Sequence, residues 1–131
     1  MITRAKADQL EKLIGQFKGI HEELSALAKK SPNDGVNTFK LKFVNSALSQ
    51  CNLLLGVDYR PLGDFELFIP DDVPSNSDVT FVVSQYLQAI EKFRSDNVKI
   101  SNDEEAFGEW IYDIPKKDGL MRAAPPQKLK R

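Results

Sequence analysis

The chain is poor in the residues that most often carry chemistry. Its 131 residues include one cysteine, Cys51, and one histidine, His21. A lone cysteine excludes an internal disulfide, and a lone histidine excludes both a histidine-rich metal cluster and a two-histidine proton relay. His21-Glu22-Glu23 begins like a metalloprotease helix, but the second histidine of H-E-x-x-H would stand where the chain has Ser25. Neither phosphate-cradling pattern, G-x-x-x-x-G-K-[ST] or G-x-G-x-x-G, occurs, and no serine sits in a G-x-S-x-G elbow. The acid pairs Asp71-Asp72 and Asp103-Glu104-Glu105 lack the spaced ligands of a calcium loop. No catalytic residue, cofactor or metal ligand is therefore expected, and the chain reads as a non-enzyme. Apolar runs of membrane-spanning length are also missing, and Met1–Lys6 leads straight into a charged amphipathic segment. The expectation is a cytoplasmic protein, or a virion component made in a cytoplasm.

What is present is a hydrophobic rhythm, repeated three times. Leu10, Leu13, Phe17, Ile20, Leu24 and Leu27 step by 3,4,3,4,3; Leu41, Val44, Leu48, Cys51 and Leu55 by 3,4,3,4; Val79, Val83, Tyr86, Ile90 and Phe93 by 4,3,4,3. Steps averaging 3.5 put each set on one stripe of an α-helix, whereas a strand needs alternation at two. Cys51 falls on the second stripe and reads as a small buried hydrophobe. Gly15-x-x-x-Gly19 lies off the first stripe and marks a second face where another helix could approach closely.

The punctuation divides the chain. The first helix, about 3–30, ends with Lys29 and Lys30 at its negative pole and with Ser31-Pro32-Asn33-Asp34-Gly35 as a turn. So short a connection returns the second helix, about 36–55, antiparallel to the first, with Gly56 as its left-handed terminator. Residues 57–76 hold Pro61, Gly63, Pro70 and Pro74 yet also Tyr59, Phe65, Leu67, Phe68 and Ile69, so they read as a long ordered loop with a short extended piece at 65–69. Ser75-Asn76-Ser77-Asp78 caps a third helix ending near Asp96-Asn97. Ser101-Asn102-Asp103-Glu104 repeats the capping pattern and predicts a short fourth helix through Trp110 or Tyr112, stopped by Pro115. The fold class is all-α: an antiparallel three-helix bundle with a long ordered loop between helices two and three, a short fourth helix and an extended C-terminal tail. Residues 1–114 form a single helical domain on this reading, and 115–131 a basic, Pro-containing tail.

Charge is segregated although the net charge is only −1. Residues 57–76 carry Arg60 against five acids, and residues 100–114 carry five acids with no base. Residues 115–131 carry Lys116, Lys117, Arg122, Lys128, Lys130 and Arg131 against Asp118 alone. Such asymmetry speaks of docking and partners rather than of fold. The tail suits an acidic protein surface; the lesser alternative is that it neutralises phosphates, although it lacks interleaved aromatics for base stacking. Tyr59, Phe65, Phe68, Phe107, Trp110 and Tyr112 are half of the twelve aromatics, gathered in the loop and the expected fourth helix, where they either close one end of the bundle or anchor a partner. The expected function is a protein-binding module: a small accessory subunit, an inhibitor or antitoxin-like partner, or a phage structural component. The expected contact residues are Tyr59, Arg60, Phe65, Phe68, Phe107, Trp110 and the six tail bases. A nucleic-acid-binding accessory protein using the tail is the alternative, and a homo-oligomer remains open.

Overall fold

The structure, a computed structural model, describes residues 1–127. It is mostly helical. Helix α1 spans Arg4–Lys30, α2 Thr38–Tyr59 and α3 Asn76–Ser95; a two-stranded sheet pairs β1 (Val98–Ile100) with β2 (Trp110–Tyr112). Each helix starts where a side-chain oxygen can take an orphan backbone N–H: Thr3 accepts from Lys6, Asn37 from Lys40 and Ser75 from Asp78. Gly56 takes φ +64°, which breaks the regular helix after Leu55 before the chain runs on to Tyr59.

The three stripes are the core. Leu10, Leu13, Phe17 and Leu24 of α1, Leu41, Val44, Leu48, Cys51 and Leu55 of α2, and Val79, Val83, Tyr86, Ile90 and Phe93 of α3 are all buried together. The Phe17 and Tyr86 rings stack with centroids 6.1 Å apart. Helix α1 packs most extensively on α3, while α2 makes smaller contacts with both. Backbone bonds stitch the two interhelical connections: Val36 donates to Pro74 and Asn76 to Asp34. Burial pushes the Cys51 thiol up to about 12, so it stays protonated and packs as an apolar group.

The segment expected as a fourth helix is something else. Glu104–Ala106 forms a single 3₁₀ turn, and Trp110–Tyr112 is a strand, antiparallel to Val98–Ile100 with Lys99 opposite Ile111. The capping chemistry at Ser101 and Asp103 is present, but it serves a loop: Ser101 Oγ accepts from the Asp103 N–H, and Asp103 Oδ1 from the Glu105 N–H. Gly108, at φ +80°, leaves room after Asp103 for one turn but not for a helix to propagate. The Gly108 and Glu109 region instead closes a hairpin, with Ser101 donating to the Glu109 carbonyl and Gly108 to that of Ser101. Residues 65–69 run without a strand partner.

The tail departs from a free extended segment as far as it is described. Lys116–Asp118 forms a 3₁₀ turn, Arg122 bridges Ile111 beside β2, and Ala123 donates to Trp110. Lys128, Lys130 and Arg131 lie outside the described residues.

Candidate functional site

The residues singled out from the sequence fall into three places. Tyr59 and Arg60 end α2. The half-buried Tyr59 ring lies edge-on to Phe93 at 5.0 Å, and its hydroxyl donates to Asp96 Oδ2 at 2.6 Å. That bond, with Lys92 close by, holds the Asp96 carboxyl below the ordinary range and raises the Tyr59 hydroxyl. Arg60 turns back into the loop: Nη2 donates to the Phe65 carbonyl at 2.8 Å and Nη1 lies 3.8 Å from Glu66, while Nε is buried without a partner among the described residues.

Phe65 and Phe68 pack edge-to-face at 4.9 Å, half-buried against the core. Two asparagines hold their loop onto α2. Asn45 clamps the backbone of Phe68 from both sides, donating to its carbonyl at 3.0 Å and accepting from its N–H at 2.9 Å. Asn52, one heptad on, donates to the Glu66 carbonyl and accepts from the Tyr86 hydroxyl at 2.6 Å. These side chains supply the partners that a loop without strand pairing lacks. The sequence reading missed them, although two asparagines seven apart on one helix face carry a usable signal.

The third place is the hairpin and the described part of the tail. Phe107 stands at the hairpin tip, 76% exposed, and Trp110 is half-buried in β2. Arg122 pairs with Glu109 at 3.1 Å and also donates to the Glu105 carbonyl, so one tail base meets the acidic 100–114 segment. Lys116 and Lys117 are exposed. Among the described residues no hydrogen bond, ion pair or ring contact joins Phe65 or Phe68 to Phe107 or Trp110.

The tail is held by two arginines the sequence reading passed over. Arg94, only 4% exposed at its side chain, forks onto Glu91 at 2.8 and 2.9 Å and also donates to the carbonyls of Ala124 and Pro125. Glu91 in turn accepts from the Gln127 N–H at 2.9 Å. Arg4 donates to the carbonyls of Asp118 and Leu120, and Tyr112 donates to Glu11 across 101 residues of chain.

These contacts hold the 65–68 loop and the described tail against the helices. Among the described residues no group of three or more His, Cys, Asp or Glu could hold a metal ion, and no helix is long and apolar enough to cross a membrane. His21 is half-buried on α1, away from these clusters in sequence. No protein-family model, curated protein or solved structure matches this chain.

Proposed function

We propose that the protein is a non-enzymatic binding module of a larger assembly, acting by surface complementarity on a scaffold of three antiparallel helices. The observation that supports this most is the exposure of large apolar side chains on a hydrogen-bonded hairpin. Phe107 and Ile100 project into solvent from a hairpin whose loop is closed by backbone bonds and whose second strand, β2, is flanked by the docked tail. An ordered apolar tip loses little conformational entropy on burial, which is what a contact anchor requires. Trp110 supplies adjacent aromatic surface on this reading, the bases Lys116, Lys117 and Arg122 form a charged rim, and Tyr59, Arg60, Phe65 and Phe68 make a second aromatic patch at the end of α2 and in the loop that follows it.

The test is the double variant Phe107→Ala, Ile100→Ala. Both side chains are exposed, so stability should change by no more than about 0.5 kcal/mol, while capture of the native partner should drop about tenfold or more. Retained capture would remove the hairpin from the contact. The second reading, nucleic-acid binding, is favoured by the exposed pair Lys116 and Lys117. It predicts affinity that falls steeply with salt and is lost when residues 116–131 are removed.

A further inference from the structure

Helix α2 carries a second seam that its own fold does not use. Phe39, Phe43, Ser46, Gln50 and Leu53 step by 4,3,4,3, the same seam spacing as the buried stripe, but point outward, with Val57 just beyond the break at Gly56. Phe39 is 69% exposed, Phe43 58%, Leu53 85% and Val57 88%, and the two phenylalanine rings meet edge-on at 4.9 Å. Beside them runs a groove of about 620 Å³ between α1 and α2, with Gly15 and Gly19 among its lining residues. A Cβ added at either glycine would meet nothing within 4 Å, so this step of α1 is an open shelf.

We propose that this face is where a second copy of the chain docks, α2 against α2 in antiparallel register, with each α2 seated over the other's Gly15–Gly19 shelf. Charge selects that occupant. From Phe43 to Val57 there is no charged residue, which is the depletion seen at interface centres. The charges that frame this stretch are opposite in sign, Lys40 and Lys42 on one side and Asp58 on the other. Both ends oppose the helix dipole, with bases near the positive pole and an acid at the negative one. Lys40 is already paired with Glu23 at 2.7 Å, while Lys42 and Asp58 have no ion-pair partner among the described residues. An antiparallel copy brings the basic end of one α2 to the acidic end of the other, and a dyad at Leu48 leaves Lys42 about 6 Å along the axis from Asp58 of the second copy, within reach of a lysine side chain; a parallel copy sets like against like.

The spacing fits the same two-fold. Phe43 and Leu53 lie five residues either side of Leu48, and Ser46 and Gln50 two either side. A dyad at that level therefore places Phe43 against Leu53 of the second copy and Ser46 against its Gln50, an isologous contact. The four apolar side chains expose on the order of 500 Å² per copy, or about 1,000 Å² for the pair, which reaches the lower bound of specific interfaces before the groove walls are counted. This inference stands apart from the hairpin contact above, because it concerns a different face and a different partner.

The experiment is sedimentation equilibrium of the full chain over a concentration series. The expected wild-type result is a reversible dimer. Leu53→Glu should weaken it about tenfold or more with helical circular dichroism unchanged. Gly15→Leu is the fold-safe control: it adds a helix-favouring side chain into open space, so its loss of dimer cannot be attributed to unfolding. Lys42→Asp and Asp58→Lys should each weaken association, and the double exchange should restore it. A strictly monomeric wild type overturns the proposal, as does a dimer indifferent to Leu53→Glu and Gly15→Leu. Failure of the dimer leaves capture of a different protein through Phe107 unaffected, so the two readings fail separately.

Discussion

Replacing Arg94 by alanine is expected to lower stability by about 3–5 kcal/mol and to free the end of the described tail in the same step. The guanidinium is almost wholly buried and uses its donors on Glu91 and on the carbonyls of Ala124 and Pro125. Removing it leaves a carboxylate with 14% side-chain exposure and two carbonyls without their donors. That is the costly half of a buried ion pair, since an uncompensated charge is worse than no pair at all. Against a typical total of about 5–15 kcal/mol, such a loss is a large share of the fold's margin. Urea unfolding measures the loss, and amide exchange at Ala123 and Gln127 shows whether the tail has come away. Arg94→Met separates the two effects: it refills the volume without charge, so it should recover part of the stability while the tail amides stay unprotected. Unchanged protection in Arg94→Ala would mean that the strand-like bonds at Trp110 and Tyr112 hold the tail by themselves.

Phe17→Ala is expected to cost about 3–5 kcal/mol through the cavity it leaves. The ring is fully buried and stacks on Tyr86, at the α1–α3 contact that is the widest in the fold. Little can move in to fill the space, because Tyr86 is held in place by its bond to Asn52, which in turn carries the loop carbonyl of Glu66. The loss should therefore spread: the loop at 65–68 should show faster exchange in this variant than the hairpin does. Thermal unfolding followed by circular dichroism gives the cost, and a loss below about 1 kcal/mol would contradict the packing described here.

The helices were legible because burial on one face leaves a 3.5-residue trace, and the cap at Ser75 is local chemistry that letters record, whereas the caps at Thr3 and Asn37 were not read from the sequence. The hairpin was not, because Ser101 and Asp103 offer the same side-chain oxygens to a loop as to a helix. Only Gly108, together with the apolar Trp110-Ile111-Tyr112 run, tips the balance toward a strand, and the strand's partner at 98–100 is supplied by the fold. The clasp at Arg94 was hidden for a different reason: a lone arginine next to Phe93 looks like a solvated charge until the returning tail covers it. Asn45 and Asn52 were likewise ordinary polar letters until the loop came to rest on them. Lys116, Lys117 and Arg122 were readable as a basic group, but only the fold separates Arg122, paired with Glu109, from the two exposed lysines.

On the proposed reading this chain works by holding another protein through an apolar contact. The most direct measurement is to purify the untagged chain from the cells that encode it and identify what accompanies it before and after a high-salt wash. The expected result is a different protein present in stoichiometric amount, retained through the wash and lost with Phe107→Ala, Ile100→Ala. Nucleic acid that leaves in high salt, or a chain that emerges with no companion other than itself, would contradict it.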